Sequence, residues 1–154
     1  MIIAIDGSAA TGKSTTAKIV AEKLGFTYLD TGAMYRCVTF LLQKSRVSLH
    51  ETDKILEILE DIKIEFEESR EHIIVKLNDN DVSEDIRSLA VTNNVSAVSA
   101  LEPVRRTMVE IQRKIAAKAD CVMEGRDIGT VVFPDAEVKI FLTCDIGKEQ
   151  CDVS

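Results

Sequence analysis

One loop constrains this chain more than any other feature. Ile2 to Ile5 is a short, continuous apolar run that ends at Asp6-Gly7, the pattern of a buried strand. From Lys13 to Leu24 the apolar residues Ala17, Val20, Ala21 and Leu24 recur at helical spacing, and Gly25 stands where a helix C′ residue belongs. Between strand and helix lies Gly7-Ser8-Ala9-Ala10-Thr11-Gly12-Lys13-Ser14, with the spacing G-x-x-x-x-G-K-[ST]. The two glycines let backbone bend closely around a phosphate, where a Cβ would obstruct. The loop N–H groups and the start of the helix then face the anion. Lys13 can reach the β- and γ-phosphates of a nucleoside triphosphate, and the Ser14 hydroxyl can hold Mg²⁺. The candidate residues for the nucleotide phosphates are therefore Gly7, Ser8, Ala9, Ala10, Thr11, Gly12, Lys13, Ser14 and Thr15, with Mg²⁺ as the expected cofactor and Ser14 as its ligand.

The rest of the chain alternates strand and helix. Thr27-Tyr28-Leu29 reads as a second strand. Thr31 can cap a helix running to about Gln43, and Asp53 to Asp61 fits a third, shorter helix. The period then changes. Ile62, Ile64 and Phe66 alternate with polar residues, as do Ile73, Val75 and Leu77, with Ser69-Arg70-Glu71 between them. This predicts an antiparallel hairpin with one wet face. Asn78-Asp79-Asn80 is a turn signal, and a third short strand is expected near Val82, giving a β insertion over residues 62–85. Helices return near Arg87. Pro103 suits the first turn of the next one, with Val104, Met108, Ile111 and Ile115 on its buried face. Cys121-Val122-Met123 and Val138 to Leu142 are two further strands. Strands separated by helices indicate an α/β parallel sheet.

Composition narrows the function classes. A length of 154 residues suits one domain, and 45% hydrophobic residues can bury a real core. A formal net charge of −7 excludes a chain built to coat nucleic acid, so phosphates must be bound by a few placed cations. None of the four cysteines forms a C-x-x-C pair, which supports neither a zinc site nor a redox motif, and all four are expected as reduced thiols. Neither a signal peptide nor an apolar run of membrane-spanning length is read in the sequence. The expectation is a cytoplasmic monomer with no membrane or nucleic-acid partner.

Signal-type GTPases share the loop but also need a guanine-reading N-K-x-D segment, and no such tetrad occurs. Small nucleotide and metabolite kinases share it too, and need a second anion site for the acceptor. Three segments bear on that choice. Asp30-Thr31-Gly32-Ala33-Met34-Tyr35-Arg36 brings a hydroxyl and an arginine to a strand end and helix start, although a cap followed by a surface arginine has the same pattern. Glu124-Gly125-Arg126-Asp127-Ile128-Gly129-Thr130-Val131-Val132-Phe133-Pro134-Asp135 follows a buried strand, so its polar residues emerge at a carboxyl end, where open α/β sheets bind ligands. A surface ion pair of Arg126 with Asp127 is the plainer alternative. The third is Ile86-Arg87, then Val91 to Val98 with Asn93 and Ser96, then Val104-Arg105-Arg106; taken alone, its Ser96 and Arg105 are solvated helix residues.

The order GSAATGKST, LDTGAMYR, EDIRS, Asn93-x-x-Ser96, VRR and EGRDIGTVVFPDAEVKIFL resembles the bacterial cytidylate kinase family from Met1 to about Leu142. The GRDIGTVVFPDA segment is more diagnostic than the phosphate loop. The resemblance implies a P-loop kinase fold: a three-layer arrangement of a parallel sheet flanked by helices, with a small antiparallel β insertion in the monophosphate-binding region. It implies transfer of the γ-phosphoryl group of ATP to CMP or dCMP. Lys13 and Arg126 resemble the catalytic cations. Arg36 and Arg126 resemble the residues that hold the acceptor phosphate, and Thr31 stands where the family has Ser or Thr near the acceptor. Ser96, Arg105 and Asp127 resemble the residues that read cytosine. These roles suit the chemistry: a guanidinium fork matches phosphate oxygens, and a carboxylate accepts from the cytosine amine but repels the uracil O4. Glu124 ends a strand where a magnesium-linked acid would sit. Two other readings stand beside this one, a P-loop kinase for another small acceptor such as UMP or shikimate, and a remnant that binds nucleotide without transfer.

The resemblance implies a P-loop kinase core over residues 1–143 and a divergent tail, 144–154, in place of the family's arginine-rich lid. The lid arginines and a fifth core strand have no counterpart here, so the chain as written is expected to turn over little and to be less stable than a longer relative.

Overall fold

The computed structural model describes residues 1–145; the tail expected over 144–154 lies mostly outside them. The chain divides into two compact units, one formed by Met1–Thr31 with the residues from Ile111 on, the other by Gly32–Glu110.

The first unit is built on a four-stranded parallel sheet of β1 (Ile2–Gly7), β2 (Thr27–Asp30), β6 (Cys121–Gly125) and β7 (Val138–Leu142), in the order β2-β6-β1-β7. These are the four core strands expected from the sequence. β1 is central and pairs with both β6 and β7, Ile5 standing opposite Glu124 and Ile140. Ile3, Ala4, Ile5, Cys121, Val122 and Met123 are all buried, which is why β1 and β6 read as unbroken apolar runs rather than alternating ones. α1 (Lys13–Leu24) lays Ala17 and Ala21 into the core and ends at Gly25, whose φ of 67° is the left-handed stop expected of it. β7 is an edge of the described sheet, with Phe141 69% exposed.

The second unit holds α3 (Thr52–Glu60), α4 (Leu89–Ser99), most of α2 (Thr31–Lys44) and α5 (Glu102–Ala116), and a three-stranded antiparallel sheet. In that sheet β3 (Ile64–Glu68) pairs with β4 (Ile73–Leu77), with Phe66 opposite Val75, and β4 pairs with the two-residue β5 (Asn80–Asp81). The third strand lies just before Val82 because the turn needs only Asn78 and Asp79, at φ 48° and 69°. Asn and Asp tolerate that region, and a two-residue turn of this hand matches the strand twist. Asn80 thus belongs to the strand and not to the turn. On α5 the fully buried row is Val104, Met108 and Gln112, while Ile111 and Ile115 are half-buried. Neither amide atom of Gln112 has a partner among the described residues.

Cys37 and Cys121 are buried thiols, as expected. Cys144 is disulfide-bonded, which corrects the expectation of four reduced cysteines. Among the described residues no helix is long and apolar enough to cross a membrane.

Candidate active site

Parallel strands end together, so their carboxyl ends collect the polar residues of the first unit. Asp30 of β2 stands in register with Glu124 of β6, and Asp6 of β1 with Gly125. The phosphate loop leaves β1 at Gly7 and enters α1 through Gly12, at φ 81°, with Ala10 also left-handed at φ 59°. Gly12 is the N-cap residue of α1 and offers no side-chain cap, and the first turn carries no acid. The helix start therefore keeps its N–H groups and partial positive charge for an anion. Ser8, Ala9 and Ala10 are exposed. Two side chains fold back onto the loop: Thr11 Oγ1 donates to the Ser8 carbonyl at 2.9 Å and Lys13 Nζ to the same carbonyl at 2.6 Å.

Beneath the loop lies a buried acid. Glu124 is 4% exposed and accepts from Ser14 Oγ at 2.8 Å through Oε2 and from the Tyr28 hydroxyl through Oε1. Burial and then the charge of Asp30 push the Glu124 carboxyl up, while the bonds from Tyr28 and Ser14 and the charge of Lys13 pull it down. Burial first, then the charges of Asp30 and Glu124, hold the Tyr28 phenol far above its ordinary range. Tyr28 is therefore a fixed donor to Glu124. Tyr28→Phe is expected to lower unfolding free energy by about 1–3 kcal/mol, because a buried carboxylate loses its donor. Urea denaturation beside the parent measures this, and a change under about 0.5 kcal/mol, ordinary for a surface site, would contradict it.

Thr31 is 3% exposed and is the first residue of α2. Its hydroxyl donates to the Glu124 carbonyl at 2.7 Å. A Cβ on Gly125 would lie 2.7 Å from Thr31 Oγ1 and 2.8 Å from Ile128 Cδ1, so only glycine leaves room for this contact. Arg126 is exposed, and Asp127 is half-buried at the head of a single π-type turn, Ile128–Val132.

The loop, Thr31, Glu124, Arg126 and Asp127 all belong to the first unit. Arg36, Ser96 and Arg105 belong to the second. There the Arg36 guanidinium donates to the Ile86 carbonyl at 3.1 Å and to Thr92 Oγ1 at 2.9 Å, tying α2 to α4 and to the segment before it. Ser96 is exposed on α4, and Arg105 is half-buried on α5. Sequence reasoning did not give Tyr28 a role, nor Asp6 or Arg113. The signal for Asp6 was available: a carboxylate closing a wholly apolar strand must find donors.

Among the described residues no group of three or more His, Cys, Asp or Glu could hold a metal on its own. The donor set beside the loop is a hydroxyl at Ser14 with carboxylates at Glu124 and Asp30 behind it. Hard oxygens in small number suit Mg²⁺, which keeps waters and shares substrate phosphates.

A family model for cytidylate kinase matches residues 3–149. Cytidylate kinases of Bacillus thuringiensis (strain Al Hakam), Bacillus cereus (strain AH187) and Bacillus anthracis (strain A0248) are each 49% identical over 144 residues, which is 94% of this chain and 64% of the relative. The chain thus spans 64% of the length of these relatives. A phosphate loop backed by a buried glutamate, followed by the Gly125-to-Asp135 segment at the neighbouring strand end, agrees with a match over nearly all the chain: it belongs to the cytidylate kinase family.

Proposed function

We propose that this chain provides the ATP- and acceptor-binding parts of a (d)CMP kinase, which transfers the γ-phosphoryl group of ATP to CMP or dCMP and yields ADP and (d)CDP. The observation that supports it most is the phosphate loop, with Lys13 donating to the Ser8 carbonyl and Ser14 donating to a buried Glu124. In this reading Gly7 to Thr15 hold the ATP phosphates. Ser14 would hold Mg²⁺, with Glu124 orienting the Ser14 hydroxyl, and the metal would neutralise charge on the phosphate oxygens. Lys13 and Arg126 stabilise charge developing on the transferred group. Arg36 and Arg126 take the acceptor phosphate, and Thr31 lies near the acceptor. Ser96, Arg105 and Asp127 read cytosine. No covalent intermediate is needed, since positioning and electrostatics supply the catalysis.

A coupled assay of ADP release with CMP, dCMP, UMP and shikimate tests this beside calorimetry with ATP and CMP. Turnover restricted to the cytidine nucleotides supports the proposal. Preference for another acceptor overturns it, and binding of both nucleotides without ADP formation identifies a binding remnant. Asp127→Asn is expected to erode the preference for CMP over UMP, because an amide can donate to O4 and the repulsion against uracil is lost. The ratio of kcat/KM for the two nucleotides reads this. An unchanged ratio would place base selection elsewhere, with Ser96 and Arg105 next to examine.

A further inference from the structure

Asp6 stands immediately before the phosphate loop and is 6% exposed. Its two oxygens accept from two successive backbone amides, Oδ1 from Ile128 N and Oδ2 from Gly129 N, each at 2.8 Å. Those amides open the π-type turn Ile128–Val132. At the turn's other end Arg113 of α5 donates from Nε to the Val132 carbonyl at 3.1 Å and from Nη2 to the Val131 carbonyl at 3.3 Å. A carboxylate on the leading amides and a guanidinium on the trailing carbonyls are the charges the two ends of a helical turn favour, and all four bonds are charge-assisted.

The residue that would ordinarily cap such a turn is Asp127, and its side chain makes no cap hydrogen bond. Asp6 performs that capping from another strand. A Cβ at residue 129 would lie 3.4 Å from Asp6 Oδ2, an ordinary contact, and 3.2 Å from the flexible Lys139 side chain, so the cap does not itself depend on glycine there. We propose that Asp6 is a positioning residue for the acceptor: by capping the turn it sets the direction in which Arg126 and Asp127 leave β6. Because Asp6 adjoins Gly7, it also fixes that pair relative to the loop that grips ATP. The inference rests on the (d)CMP kinase reading above.

Asp6→Asn keeps the shape, but its amide can accept through only one oxygen, so one backbone N–H loses its acceptor. Arg113→Met releases the other end of the turn without touching β1. The measurements are calorimetric Kd values for CMP and for ATP, with amide exchange at Ile128 and Gly129. Both variants are expected to weaken CMP by at least about tenfold while ATP changes by less than about threefold, a split that general loosening would not produce. Exchange at the two amides should quicken in Asp6→Asn. Unchanged CMP affinity in both variants, or parallel loss of CMP and ATP, would overturn the inference. Should Asp6→Asn fail to fold, Arg113→Met decides by the same criterion. A parent chain that binds ATP but not CMP would overturn the kinase reading, and this inference with it. A parent that binds CMP beside insensitive variants overturns the inference alone.

Discussion

Lys13→Ala is expected to reduce kcat for phosphoryl transfer by about 10²–10³, the cost of removing one preorganised donor from a developing anion, while leaving the melting temperature nearly unchanged. The separation follows from what Lys13 touches. Its ammonium donates to the exposed carbonyl of Ser8 at 2.6 Å, within the loop. The loop's shape is fixed elsewhere, by Thr11 on the same carbonyl, by the left-handed Gly12 and by the pairing of Gly7 with Leu142. The lysine fills no core space, so its removal should cost no more than an ordinary surface change, within about 0.5 kcal/mol. The assay compares parent and variant in a version carrying the remaining length of the family, with CMP as acceptor and ADP release as readout. Retention of more than about a tenth of kcat, a loss under ~1.4 kcal/mol, would exclude the catalytic role. A large loss of melting temperature would exclude the structural argument instead.

The sequence discloses those parts of the molecule whose physics is local. The loop's glycines, the Gly25 stop and the Asn78-Asp79 turn each depend on backbone conformations that few residues adopt, so the residue types announce them. β1 and β6 were legible because both of their faces are buried, whereas β7 reads as an apolar run although Val138 to Phe141 are exposed. What stayed hidden depends on contacts between distant segments. Nothing in Thr27-Tyr28-Leu29 shows that the Tyr28 hydroxyl reaches Glu124, 96 residues on, or that Asp6 caps a turn 122 residues away. Nor does the Thr31 position, read locally as a helix start, show that its hydroxyl donates to a carbonyl on the adjacent strand. Gln112 was passed over because it is polar, although it lies four residues beyond Met108 on the buried row. The residues assigned to cytosine came from resemblance, because Ser96, Arg105 and Asp127 have no spacing rule that would join them.

Gly7→Ala should lower both folding stability and ATP affinity, and the geometry distinguishes it from the same change at Gly12. A Cβ at residue 7 would fall 2.4 Å from the Leu142 carbonyl oxygen and 3.2 Å from Thr11 Oγ1. The nearer obstacle is backbone, and it belongs to β7 directly opposite in the ladder. It cannot rotate aside as a side chain would. Either β7 slides from β1, or Gly7 moves and takes the loop with it. Overpacking of this kind costs about 1–3 kcal/mol, and moving the loop misaims the N–H groups that would meet the phosphates. At Gly12 a Cβ would meet nothing within 4 Å, so only the conformation resists: φ is 81°, and a left-handed alanine costs about 1–2 kcal/mol without disturbing the sheet. The two variants should therefore differ in kind. Gly7→Ala should speed amide exchange along β7, where Leu142 sits opposite it, whereas Gly12→Ala should leave β7 protected and act on the loop alone. Urea unfolding, calorimetry with ATP and amide exchange on both variants test this. Equal protection of β7 in the two, or a larger stability loss at Gly12, would show that the Gly7–Leu142 approach is not what makes glycine necessary there.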